Sequence, residues 1–210
     1  MKVLNGSIRT IRNKFSILCL AWFLVACGIS NVVIQGNFST PDINKMPLSV
    51  AVYYDEALRG FSYMEYSDTG LEEVNIEAGE AHIRLFNTVL PAMFDQVISV
   101  ASIEDAAGQN VDAVFVPEIV EFQLALPAKN GLGVYEVWIL YNMRLLTSGG
   151  EVIADWVLTA YATSPYSPFR SRENGINEAA LAALREFASS DGFPLNFAQV
   201  PEVRDWLNKL

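Results

Sequence analysis

The sequence contains very little cysteine, histidine and positive charge. Its 210 residues include two cysteines, one histidine and 14 lysines and arginines against 24 acidic residues, so the formal net charge is −10. Such an inventory excludes the usual zinc ligand sets, a disulfide framework and a cysteine–histidine catalytic pair. A nucleic-acid-binding protein needs a basic surface, and an isoelectric point of about 4.5 does not provide one. We therefore expect no metal, no cofactor and no nucleic-acid partner.

Recognisable catalytic motifs are also absent from the sequence. It contains neither a G-x-S-x-G nor an S-x-x-K pattern. His82 falls beside an apolar position of a predicted helix, which favours a structural role. The carboxylate pairs Asp55–Glu56 and Glu118/Glu121 could support acid–base chemistry only if one member were desolvated, and we interpret them as solvated charges. The sequence therefore predicts no catalytic residue and a protein that is not an enzyme.

The N-terminus has the pattern of a secretory signal peptide. Four basic residues and no acid precede the apolar run of residues 15–25. Eleven helical residues span roughly 16 Å, about half of a hydrocarbon core, which is short for a transmembrane helix. We therefore predict export rather than a membrane span.

The apolar run ends in Leu24-Val25-Ala26-Cys27, which resembles the lipobox of bacterial lipoproteins. The resemblance implies that the Cys27 sulfur carries a diacylglycerol, that the chain is cut before Cys27, and that the new amino group is acylated, for example with palmitate. It also implies an outer-membrane protein that faces the periplasm, because Gly28 rather than aspartate follows Cys27. The inner membrane is the alternative.

Composition divides the chain into three parts. Residues 1–26 are the predicted signal peptide, residues 27–46 a lipidated flexible tether without periodicity, and residues 47–210 a single globular domain. A flexible tether of that length spans roughly 25 Å, so we expect the domain to stand off the membrane. Cleavage removes four of the 14 basic residues and none of the 24 acids, which leaves a formal charge of −14.

Periodicity predicts an α+β fold with a mostly antiparallel sheet of about five strands and two main helices. Residues 68–80 are expected to form a solvated acidic loop, and the alternative is a Ca²⁺ site in the acidic stretch 65–80. Pro117 predicts an edge position or a bulge. The predicted strands are 48–54, 61–66, 96–101, 111–126, 134–146 and 151–162, and the predicted helices are 78–94, 176–189 and 201–210.

The last two strands form a predicted hairpin around a two-residue Gly149-Gly150 turn, in which Ser148 faces Glu151. This turn fixes every cross-strand pair. The predicted apolar pairs are Tyr141–Leu158, Met143–Trp156 and Leu145–Ala154, and the pairs on the other side are Arg144–Asp155 and Trp138–Tyr161.

The order of elements is similar to that of small periplasmic lipoproteins. Residues 94–100 and 112–116, followed by the hairpin and the final long helix, resemble the auxiliary lipoproteins of ABC-type lipid transport systems and the TolB N-terminal-like domains. The resemblance covers about half of the chain and implies the fold only.

The segment of residues 164–172 reads Ser-Pro-Tyr-Ser-Pro-Phe-Arg-Ser-Arg and is the predicted partner-binding site. Tyr166 and Phe169 offer apolar anchors, and Arg170 and Arg172 form a closely spaced basic pair. The segment is interpreted either as a docking loop for an envelope protein or an anionic headgroup, or as a connector whose rings pack back on the domain.

Together these features predict a membrane-anchored periplasmic lipoprotein that is not an enzyme. It would act as an accessory or assembly factor that binds other cell-envelope components, with the membrane as a partner through its N-terminal lipid. One alternative is a glycan- or lipid-binding module with an aromatic groove, and another is an unrecognised hydrolase. The aromatic residues that suggest such a groove are Tyr53, Tyr54, Phe61, Tyr63 and Tyr66.

Overall fold

The computed structural model describes residues 29–66 and 72–210, and within them the α+β class is confirmed. The strands are β1 (Ser30–Val33), β2 (Met46–Tyr53), β3 (Ser62–Tyr66), β4 (Glu72–Glu77), β5 (Phe94–Val100), β6 (Ala113–Ala125), β7 (Val134–Thr147) and β8 (Val152–Pro165). The helices are α1 (Glu56–Arg59), α2 (Gly79–Met93), α3 (Pro127–Asn130), α4 (Arg172–Ala188), α5 (Phe193–Gln199) and α6 (Pro201–Leu207), with a 3₁₀ turn at Glu104–Gly108.

The main sheet has five strands, as predicted, in the order β5-β2-β6-β7-β8. The long strands β6, β7 and β8 pair antiparallel, whereas β2 is parallel to both β5 and β6. A parallel pair needs a crossover, and α2 lies in the connection from β2 to β5. Strand β6 is an interior strand, but β2 pairs only with residues 113–115 of β6. Pro117 therefore lies just beyond the hydrogen bonds between β2 and β6. The β6–β7 register shifts at Val120.

A second sheet of three strands, β1-β4-β3, was not predicted. Strand β4 occupies residues that were expected to be an acidic loop, so that expectation is wrong for residues 72–77. Val74 and Ile76 are fully buried and alternate with polar residues, which is the period of a strand with one buried face. Residues 67–71 lie outside the described residues.

The expected flexible tether is wrong for residues 29–46, because this segment runs along α4 and is tied to it. The Ile34 N–H donates to the Glu77 carbonyl at 2.9 Å, and Ile34 is buried. The Gln35 N–H donates to Asn177 Oδ1 at 2.9 Å. Hydrogen bonds farther along α4 continue the contact: Arg185 to the Asn37 carbonyl and Ser190 to the Asp42 carbonyl. The partners come from distant parts of the chain, which local composition does not reveal.

The hairpin register is confirmed for all five predicted pairs. The turn itself differs, because Ser148, Gly149 and Gly150 form a three-residue loop and Thr147, not Ser148, meets Glu151. Gly150 adopts a φ of 88°, the left-handed conformation that favours glycine at the last position of such a loop. A register shift between Leu145 and Leu146 then restores the predicted pairing.

Helices α2 and α4 pack with the main sheet around an aromatic core. Helical spacing predicts Ile176, Ala180, Leu184 and Phe187 as the inward positions of α4, and all four are buried. Helix α2 ends at Met93, two residues after Pro91. The predicted C-terminal helix is present as α6, which ends at Leu207. The preceding helix α5 was not predicted, and it buries Phe193 and Phe197. The rings of Phe187 and Phe193 stack with centroids 5.5 Å apart. These aromatic contacts fix the position of α4, whose N-terminus carries the predicted site.

Candidate functional site

The predicted partner-binding segment, residues 164–172, joins β8 to α4 and is fixed at both ends. The Tyr166 N–H donates to the Gly133 carbonyl at 2.9 Å, which ties the segment to the loop before β7. Ser171 is the N-cap of α4, and its hydroxyl accepts from a backbone N–H of the first turn at 3.2 Å. Between these points the rings project outward, because Phe169 is 98% exposed and Tyr166 is 54% exposed. The alternative in which the rings pack back on the domain therefore fails for Phe169.

The two arginines of the segment are paired within the protein. The Arg170 guanidinium donates to the Glu178 carboxylate on α4 and to Ser164 Oγ at 3.3 Å. The Arg172 guanidinium donates to the Glu73 carboxylate on β4. Both arginines thus hold the segment against its neighbours.

A lysine that the sequence analysis did not single out completes this charge cluster. Lys129 on α3 lies 2.7 Å from Glu65 and 3.5 Å from Glu73. The hydrogen bond to Glu65 raises the pKa of Lys129. Partial burial favours a higher pKa for Glu73, but Arg172 and Lys129 outweigh it and hold that pKa below its ordinary value. Glu73 and Arg172 are 99 positions apart, so no local pattern could have joined them.

A cavity of about 530 Å³ opens beside the cluster. Residues 126–128 form an apolar wall, Tyr135 and Tyr166 an aromatic wall, and Lys129 and Arg172 a polar rim. Concave sites of this composition accept small groups that carry both an apolar part and a charge.

Gly175 on α4 makes room for the aromatic wall. A Cβ atom at position 175 would lie 2.3 Å from the ring of Tyr135, much closer than real contacts allow. Burial raises the pKa of Tyr135. The close approach of this ring to the helix therefore depends on the glycine.

His82 has the structural environment that the sequence favoured, although it lies in the core rather than at a helix flank. Its side chain is fully buried on α2, and a hydrogen bond of 2.7 Å joins His82 Nδ1 and the Tyr141 hydroxyl. Phe61 packs edge-on against the imidazole. Burial lowers the pKa of His82 from 6.5 to about 3, so the ring stays neutral at physiological pH.

Three of the four carboxylates considered for acid–base chemistry have structural partners. Asp55 caps α1 by accepting from the Leu58 N–H at 2.7 Å. Glu118 accepts from Arg144, and Glu121 accepts from a neighbouring glutamine at 2.6 Å. In residues 29–66 and 72–210, no group of three or more histidine, cysteine, aspartate or glutamate side chains is arranged to hold a metal ion.

Most of the aromatic residues proposed for a groove are packed against other rings. Tyr54 is buried and its hydroxyl donates to Asn87 at 2.9 Å. Phe61 and Tyr63 both pack against Phe122. Their packing contributes to the core rather than to an open binding surface.

The N-terminal end of the described chain lies beside the predicted site. Ser30 lies beside Glu173 in the first turn of α4, and hydrogen bonding by the backbone, with Ser30 and Ser171, helps to hold the pKa of Glu173 low. The lipobox and Cys27 lie outside the described residues. Among the described helices, none has the length and apolar character needed to cross a membrane.

The chain matches no family model and no curated protein, but its fold is similar to solved structures. Protein XCC0632 from Xanthomonas campestris, of family model DUF330, matches with a TM-score of 0.50 at 12% identity, over 80% of this chain and 97% of that chain. A minor lipoprotein from Acinetobacter baumannii matches with a TM-score of 0.35 at 12% identity, over 69% and 87%. Lipoprotein GNA1162 from Neisseria meningitidis matches with a TM-score of 0.32 at 10% identity, over 68% and 99%. At these identities the likeness to XCC0632 concerns the fold alone.

Proposed function

We propose that this protein is a lipid-anchored lipoprotein of the bacterial cell envelope that faces the periplasm from the outer membrane. It acts there as an accessory or assembly factor that binds other envelope components. The observation that carries the proposal is Leu24-Val25-Ala26-Cys27, which follows four basic residues and an apolar run too short to span a bilayer. Two or three acyl chains on Cys27 would hold the protein firmly at the membrane.

Two features of the folded chain support a binding role over catalysis. His82, the one histidine of the sequence, is enclosed in the core and cannot meet a substrate. The carboxylates around the candidate site, Glu65, Glu73 and Glu178, each accept from a lysine or arginine. General acid–base catalysis needs a group with a pKa near the working pH, whereas Arg172 and Lys129 hold the pKa of Glu73 below its ordinary value.

The lipid anchor is tested by labelling cells with radioactive palmitate. The wild-type protein should incorporate the label and fractionate with membranes, whereas Cys27→Ser should do neither. Cys19→Ser is the matched control, because Cys19 lies in the segment that cleavage removes, and it should be labelled like wild type. Label that still enters the Cys27→Ser protein would contradict the anchor.

The accessory role is tested by chemical crosslinking in intact membranes. We expect the wild-type protein to form adducts with envelope proteins, and these adducts should be lost when Cys27→Ser releases the protein from the membrane. Recovery of the wild-type protein without any adduct, at the same expression level, would count against an assembly function.

A further inference from the structure

We infer that the N-terminal end of α4 faces the bilayer and that Phe169 inserts into the lipid surface beside the anchor. The inference rests on the lipidation of Cys27 proposed above and names the component that the 164–172 segment contacts. The proposed partner of residues 164–172 is the membrane surface itself. Loss of membrane contact at these residues in the experiment would favour a protein partner instead.

The first step is the length of chain between lipid and domain. Ser30 is fixed by pairing with Val74 on β4, and β1 packs against α4. Only three residue steps separate Cys27 from Ser30, and a fully extended chain covers at most about 3.5 Å per residue. The lipid-bearing sulfur is therefore tethered within roughly 10 Å of Ser30, plus the length of its own side chain. A domain held this closely cannot stand off the membrane.

The second step is the direction in which residues 30–42 run along α4. Residues 30–42 contact α4 progressively from Glu173, at its N-terminal end, to Ser190, just past its C-terminal end. The lipid thus emerges at the N-terminal end of α4. Phe169 is only four residues before Glu173, so their backbones lie within about 14 Å of each other. The anchor and the exposed ring share one end of the domain.

The third step is the chemistry of that end. Phe169 is almost wholly exposed, and the half-exposed Tyr166 presents an apolar ring with a polar hydroxyl. Aromatic rings of this kind favour the boundary between lipid headgroups and acyl chains. The cations nearby are already paired, Arg170 with Glu178 and Arg172 with Glu73. The contact should therefore depend on the rings and not on anionic lipid.

The experiment uses the full chain, lipidated in cells and reconstituted into phosphatidylcholine vesicles. Neutral lipid excludes charge attraction as the cause of any contact. Cleavage leaves Cys27 as the one cysteine, and the proposed thioether blocks its sulfur, so a single introduced thiol can carry a fluorophore. Ser167→Cys places the probe in the segment, and Glu151→Cys places it at the exposed hairpin turn. That turn lies roughly 40 Å away along β8. Nitroxide lipids then quench whichever probe touches the bilayer.

We expect the vesicle-bound protein to lose most of its fluorescence at position 167 and little at position 151. Adding Phe169→Ser should remove most of the quenching at position 167 while the protein still floats with the vesicles. Val152→Ser is the matched control, because Val152 is also apolar and is 63% exposed at the far end of β8. It should leave the quenching unchanged.

The outcomes separate this inference from the proposed function. A protein that floats with vesicles but shows no quenching at position 167 keeps its anchor and overturns the membrane contact, leaving the segment free for a protein partner. Quenching that persists undiminished in Phe169→Ser overturns the role of that ring. A wild-type protein that does not float lacks the anchor, and both proposals then fail.

Discussion

Acid should destabilise this protein through its single histidine, His82. Burial lowers the pKa of His82 to about 3 in the folded state, whereas an unfolded chain has a histidine pKa of about 6.5. Between these two values the unfolded state binds a proton that the folded state does not. The stabilisation is therefore complete above pH 6.5 and falls as the pH decreases toward 3.

Linkage gives the size of the effect. One proton taken up only by the unfolded state lowers the free energy of unfolding by about 1.4 kcal/mol per pH unit. Between pH 7.5 and pH 4.5 the loss from His82 alone comes to roughly 2.5 kcal/mol. For a urea dependence of about 2 kcal/mol per molar, the unfolding midpoint should shift by about 1 M.

The assay is urea unfolding followed by circular dichroism at pH 7.5 and pH 4.5, for the wild type and for His82→Gln. Glutamine offers an acceptor to the Tyr141 hydroxyl but does not titrate. Between the two pH values, the free energy of unfolding of His82→Gln should therefore fall by about 2.5 kcal/mol less than that of the wild type. The carboxylates with lowered pKa values, Glu73 and Glu173, are present in both proteins and cancel in the difference.

Tyr141→Phe is the matched control for the cause of the shift. It removes the hydrogen bond of 2.7 Å and leaves His82 buried, so the dependence on pH should persist. The reasoning is refuted if wild type and His82→Gln lose equal stability. If the free energy of unfolding of Tyr141→Phe did not change between the two pH values, the hydrogen bond and not burial would set the pKa of His82.

Two further predictions concern the packing of α4 against Tyr135 and the attachment of residues 29–46 to the domain. Gly175→Ala should destabilise the protein by about 1–3 kcal/mol, because the new methyl group meets the Tyr135 ring at 2.3 Å. Gly108→Ala, where nothing lies within 4 Å of the added atom, should melt close to wild type, and equal melting of the two variants would contradict the clash. The Ile34 amide donates to the Glu77 carbonyl, so it should be strongly protected from hydrogen exchange. Exchange at the rate of a free peptide would instead support a flexible tether at residues 29–46.

The sequence predicted best those elements whose signals are local. Helix α4 carries buried residues at helical spacing, and β7 and β8 alternate across a glycine turn, so their faces and pairing were predicted correctly. The turn between β7 and β8 was predicted incorrectly, because a three-residue loop with a compensating register shift gives the same strand pairing as a two-residue loop. The parallel placement of β2 depends on which strands meet after α2 crosses over, and periodicity does not report that.

The errors in the small sheet share one cause. Strand β4 alternates Val74 and Ile76 with polar residues, but its acidic composition outweighed this short period in the prediction. Strand β1 has only four residues and pairs with β4, which is more than forty positions away. A strand this short is recognisable only when its partner is known.

The placement of β1 changes how the site is understood. From composition alone, residues 27–46 predict a domain held about 25 Å from the membrane, and a domain at that distance would use the 164–172 segment to reach a partner in the periplasm. With β1 paired to β4 and packed against α4, the same segment lies next to the proposed lipid anchor. The arginines that suggested a docking surface hold the segment in place, and the exposed Phe169 is left to make the contact. Because four residues form strand β1 rather than part of a tether, the expected partner of the 164–172 segment changes from a periplasmic protein to the bilayer.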